Sequence, residues 1–168
     1  CTARVCTISS WDGRNPGGED KLYLGFGFDG ANVTYARDMP LLTDAAGQAS
    51  LTGNRFVVSA TRGRVTPPAG GTLDLAGTSF IIPDVRQRPA RAQVRLVGQG
   101  SITAGLSMLD SPNLRLIEKA GRAVDLADGQ AEVTALIDLP LIRPMAPSDL
   151  RFAVTARLRD VQSTQIMP

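Results

Sequence analysis

Residues 47–97 read GQASLTGNRFVVSATRGRVTPPAGGTLDLAGTSFIIPDVRQRPARAQVRLV, and their rhythm decides the fold. Ala49 and Leu51, then Phe56, Val58 and Ala60, Leu73 and Leu75, Phe80 and Ile82, and Ala92, Val94 and Leu96 recur at every second position. Ser50, Thr52, Arg55, Ser59, Thr72, Asp74, Ser79, Gln93 and Arg95 fill the opposite phase. A period of two places one set of side chains on one face of a sheet. Gly53, Gly63, Pro67-Pro68, Gly70-Gly71, Gly77, Pro83 and Pro89 punctuate the gaps, as turns require. The stretch is expected to be an antiparallel meander with one apolar face.

Alternation extends to both sides of this ladder. Residues 5–9 suggest a short strand, followed by turn chemistry in Trp11-Asp12-Gly13 and Asn15-Pro16-Gly17-Gly18. Residues 21–29 set Leu22, Leu24, Phe26 and Phe28 on one face, and Asp29-Gly30 predicts a hairpin turn into residues 31–36. Toward the C-terminus, Ala131, Val133, Ala135, Ile137 and Leu139 alternate, then Leu150, Phe152, Val154, Ala156 and Leu158. The last group is expected to point inward, with Arg151, Thr155, Arg157 and Arg159 outward. Between these strands the period changes. Ile102, Leu106 and Leu109 form a helical stripe, weakened by Gly105. Ser111 as N-cap, Pro112 at the first position and Gly121 as the stop predict a second helix. The helix pair is expected to cover a sheet edge or to plug one end of the apolar face.

The fold expected is therefore all-β, a curved antiparallel sheet of about 9–11 short strands with a helix pair near 101–121. Residues 1–20 form an ill-defined strand and loop, and residues 21–168 a single β-rich segment. Composition agrees: 17 Gly and 11 Pro stand against one Trp, two Tyr and five Phe in 168 residues. The chain opens on Cys1 instead of Met, which is expected of a piece of a longer protein. Cys1 and Cys6, without a second pair, could form a disulfide or remain thiols. No run approaches the ~20 apolar residues of a spanning helix.

Several chemistries are disfavoured. The chain contains no His, the commonest general base and metal ligand. Its carboxylates are scattered, mostly beside Gly, Pro or strand ends, without a convergent pair. Gly25-x-Gly27-x-x-Gly30 lies inside an alternating strand and opens no helix, so it is no dinucleotide fingerprint. Neither an enzyme nor a cofactor or metal site is expected. A net charge of +2 and few aromatics argue against nucleic acid. Arg86, Arg88, Arg91 and Arg95 form a basic run, either a solvated outer face or a rim that meets anionic lipid head groups. The apolar stripes are either the core of a closed sandwich or a surface left for a guest. A closed core is the usual fate of such a face; small residues at many inward positions, such as Ala49, Ala60, Ala92, Ala131 and Ala135, either pack a thin core or leave space for a guest.

A family cadence runs through the chain. Residues 39–56 (MPLLTDAAGQASLTGNRF) and Gly63-Arg64-Val65 are followed by residues 76–83 (AGTSFIIP), Met108 to Pro112 and Lys119-Ala120-Gly121. Gly129-Gln130-Ala131, Leu139-Pro140-Leu141 and Asp149 to Phe152 complete the succession. Over roughly residues 21–161 it resembles the AsmA-like family of bacterial lipid-bridge proteins related to TamB, in particular the YhdP-type central domain. The resemblance implies a non-enzymatic segment of a periplasmic protein anchored to the inner membrane of a Gram-negative bacterium. Such proteins carry phospholipid in an apolar β-groove and maintain the outer membrane. On that basis Phe26, Phe28, Phe56, Phe80, Val94, Phe152 and Val154 are candidates for groove lining. The implied partners are phospholipid acyl chains, a membrane reached through other parts of the parent chain, and an envelope protein. The competing expectation is a structural or assembly module with a closed core that binds a protein partner.

Overall fold

The computed structural model describes residues 5–11, 23–35, 38–112, 115–142 and 149–162; for Val5–Trp11, Tyr23 and Leu116 only the backbone is considered. All described strands belong to one antiparallel sheet. They are β1 (Val5–Trp11), β2 (Tyr23–Val33), β3 (Leu42–Thr52), β4 (Arg55–Val65), β5 (Leu73–Asp74), β6 (Ser79–Ile82), β7 (Arg91–Ser101), β8 (Asp128–Pro140) and β9 (Arg151–Gln162). Spatial order follows chain order, with β5 and β6 sharing the slot between β4 and β7. The outermost strands, β1 and β9, do not pair with each other, so the sheet is not closed on itself.

The Asp29-Gly30 hairpin expected from sequence is not formed. Strand β2 continues through it to Val33, and the register against β3 shifts there. Gly30 adopts φ +60 and its N–H bonds the Asp29 carboxylate. The left-handed backbone that suits a turn serves here as a bulge. Further register shifts fall in β3 beside Asp44 (φ +51) and in β4 beside Thr61. The Arg62 guanidinium joins these irregularities, pairing with Asp29 at 2.5 Å and Asp44 at 3.0 Å. The hydrogen bonds it donates, first to Asp44 and then to Asp29, raise its pKa. The trio is solvent-accessible, so it fixes the line of bulges more than it stabilises the fold.

Helices α1 (Ile102–Leu109) and α2 (Leu116–Lys119) form the predicted pair. Ser101 caps α1, its Oγ accepting from the Ala104 N–H. Ser111 does not cap α2. It is buried, and its hydroxyl donates to the Met108 carbonyl to finish α1. Asp110 instead accepts the Glu118 N–H of α2. Gly121 ends α2 as expected, at φ +66: its N–H bonds the Glu118 carbonyl, and the Arg122 N–H bonds Ile117, the Schellman pattern. Among the described residues the pair's main packing is not along an outer strand. Helix α1 packs at the end of β7 and the start of β8, with Ile102 beside Gly129 and Ala104 beside Gly71. Ser107 Oγ accepts the Ala69 N–H of the preceding loop. Gly105 has open space where a Cβ would stand. Gly105→Ala should therefore raise stability by about 1 kcal/mol, read as a higher midpoint in urea denaturation.

Burial is greatest near that helical end, at Val65, Leu73, Ile102, Ala104, Ser107, Ser111 and Ala127. Elsewhere the buried positions are small or proline residues: alanines, including Ala49, Ala92 and Ala135, with Gly25, Gly98 and Pro140. Alanine side chains hide little apolar area, so the single sheet relies heavily on its hydrogen-bonded ladders. The expectation that the last strand points its apolar set inward is corrected: every residue of β9 is exposed, because among the described residues no layer lies over this outer strand.

Candidate functional site

Cross-strand register decides which side chains meet. Residues directly opposite in an antiparallel ladder share a face. Phe26 lies opposite Ala49, Ala49 opposite Val58, and Val58 opposite Phe80. The row continues through Val94 and Ile137 to Phe152. Apolar side chains thus cross seven strands without a polar interruption, about 29 Å at ~4.8 Å per strand. The backbone of Ile8 in β1 is in register with Phe26 at its start. A second row joins Leu24, Leu51, Phe56 and Ile82. Phe28 lies opposite Gly47, and Gly47 opposite Ala60; Leu96, Ala135 and Val154 align likewise.

All the lining residues predicted from sequence fall on this one face. Phe26, Phe28, Phe56, Phe80 and Val94 are half-buried, whereas Phe152 and Val154 are exposed by 67% and 56%. Side chains missing from the sequence-derived set, notably Val58, Leu51 and Ile137, complete it. Alternation placed them in phase, but the cross-strand register that joins them to the phenylalanines is not written in any single strand.

The opposite face is largely polar. Gln48, Ser59, Ser79 and Arg95 align across it, as do Arg64, Asp74, Gln99, Glu132 and Arg157. Val57, Ile81, Val97 and Leu136 are among its apolar exceptions.

The basic run is not gathered at one rim. Arg91 and Arg95 lie in β7 in the phase opposite Val94, hence on the polar face, and Arg91 pairs with Asp138. Arg86 and Arg88 are exposed in the loop between β6 and β7, with Arg88 donating to the Val85 and Gln87 carbonyls. Only this loop pair stands beyond the end of the apolar rows. The signal was legible, since Arg91 and Arg95 are an odd number of residues from Val94.

Among the described residues no three His, Cys, Asp or Glu side chains converge on a possible metal position. No described helix is long and apolar enough to cross a membrane. A shallow dent of about 130 Å³ lies at the end of β7, β8 and β9, lined by Gln99, Gly100, Gln130, Ala131, Glu132, Arg157 and Arg159. It is smaller and more polar than a typical small-molecule site. The extended apolar face is the larger chemical feature. No family model, curated protein or solved structure matches this chain.

Proposed function

We propose that this chain is a non-enzymatic segment of a periplasmic AsmA-like protein, anchored to the inner membrane. In this role its apolar sheet face binds phospholipid acyl chains during lipid transport and outer-membrane maintenance. The observation that carries the proposal is the uninterrupted row from Phe26 to Phe152, on a sheet that is the only one among the described residues. The resemblance to the AsmA-like family supplies the compartment, the anchor and the lipid.

The physical driving force is burial of acyl methylenes, each worth ~0.8 kcal/mol. One leaflet of a bilayer is ~15 Å deep in hydrocarbon. An acyl chain laid across the strands is therefore shorter than the row, and no single side chain is indispensable. In this reading Arg86 and Arg88, exposed in the loop between β6 and β7, supply the cationic contact to a phosphate head group.

Delipidated protein titrated with a fluorescent fatty acid tests the proposal. Saturable binding is expected, and Phe56→Asp should weaken it while the far-UV circular dichroism stays unchanged. Absence of saturable binding by the folded protein would reject an acyl-binding role.

The competing function is a structural module whose sheet closes on itself and binds a protein. Among the described residues the outer strands β1 and β9 do not pair with each other, which weighs against closure. A protein partner needs no closure, and strand β9 offers a place for one.

A further inference from the structure

Strand β9 is an outer strand, and each residue from Arg151 to Gln162 is exposed. Its inner edge pairs with β8, whereas its outer edge carries no strand among the described residues. Such an edge presents a row of backbone N–H and C=O groups able to pair with another chain. The side chains restrict what that chain can be. One face shows Phe152, Val154 and Leu158, exposed by 67%, 56% and 54%. The other shows Arg151, Arg157 and Arg159 around Thr155. None of these arginines makes an ion pair among the described residues, and Asp138, opposite Arg151, is held by Arg91.

The present neighbour displays the chemistry that β9 accepts. Strand β8 sets Ala131, Val133, Ala135 and Ile137 opposite Leu158, Ala156, Val154 and Phe152. In the alternate phase it sets Glu132 opposite Arg157 and Asp138 opposite Arg151. We propose that the free edge of β9 receives an antiparallel strand from a partner protein, one whose apolar side chains alternate with acidic ones. The added strand extends the apolar face on one side and neutralises the arginines on the other. A second copy offering its own β9 is disfavoured on charge. Antiparallel self-pairing centred on Thr155 opposes Arg151 to Arg159, and centred on Val154 opposes Arg151 to Arg157; like charges directly opposite destabilise a ladder. This inference does not depend on acyl binding.

The probe is a fluorescein-labelled peptide with the β8 sequence, DGQAEVTALIDLP, added to the whole chain. Saturable anisotropy is expected, together with slowed hydrogen exchange at β9 amides. A peptide carrying Glu132→Lys and Asp138→Lys should bind about tenfold more weakly, having lost two opposite-charge pairs. Arg151→Glu with Arg157→Glu in the protein should reverse that preference. If this double variant fails to fold, the two peptides compared on the unaltered protein still decide. Equal binding of both peptides overturns the proposal, as does protection at β1 alone or at no strand. Concentration-dependent dimerisation that protects β9 without peptide assigns the edge to a second copy and overturns it too. Protection of β9 by phosphatidylglycerol vesicles, with no peptide binding, assigns the edge to a membrane surface with the same consequence.

Discussion

Gly47→Ala is expected to destabilise the protein by about 3 kcal/mol, the upper end of overpacking costs. A Cβ at this position would stand 2.1 Å from the Ser59 carbonyl oxygen and 2.9 Å from the Phe28 ring. The first atom belongs to backbone, in a ladder that carries the Gly47–Ala60 and Gln48–Ser59 pairs. Relief would require β3 and β4 to separate beside the Thr61 register shift, or Phe28 to leave the apolar face. Neither is a rotamer change. Urea denaturation checks this, with the midpoint falling and the slope unchanged. Gly105→Ala is the control, since the same methyl meets nothing within 4 Å there and should raise the midpoint. A near-neutral Gly47→Ala would mean that β3 and β4 lie farther apart than the structure places them.

The other large effect separates the two faces with adjacent residues. Val94→Asp should weaken binding of a fluorescent fatty acid tenfold or more, whereas Arg95→Asp should leave it within about twofold, since only the first puts a charge against hydrocarbon. Both residues belong to β7 and both stay partly or fully exposed. Val94 lies between Phe80 and Ile137 in the apolar row, and Arg95 between Ser79 and Leu136 on the other face. Because Val94 is half-buried, its variant could lose stability as well as affinity. Phe152→Asp supplies the matching test at an outer strand where exposure is 67%, so folding should be untouched and affinity reduced. Equal losses from Val94→Asp and Arg95→Asp would point to a charge effect or partial unfolding, and the apolar face would lose its role.

Much of this architecture was legible in the residues. Alternation located the central ladder and both C-terminal strands, because backbone pleating imposes a period of two whatever the strand packs against. Gly121 was recognisable as a helix stop for an equally local reason. Local cues failed where one conformation serves two purposes. Asp29-Gly30 supplies a left-handed residue to a turn or to a bulge, and pairing with β3 beyond it selected the bulge. Ser111 and Pro112 spell a helix start, yet the Ser111 hydroxyl turns back to Met108 and α2 begins later, at Leu116. The candidate face was half legible. Phase alone gathered its phenylalanines, and the same phase separates Arg91 and Arg95 from them.

From the order of its amino acids alone, this protein has strands, their two chemical faces and the sites of most chain reversals, since each depends on neighbours a few residues away. Which strands lie side by side depends on partners far along the chain. Tertiary structure alone therefore aligned Phe26 with Phe152 through five intermediate strands, drew the bulges of β2, β3 and β4 under Arg62, and left β9 uncovered among the described residues. Coverage is a property of what packs above a side chain, and no pattern within a strand encodes it.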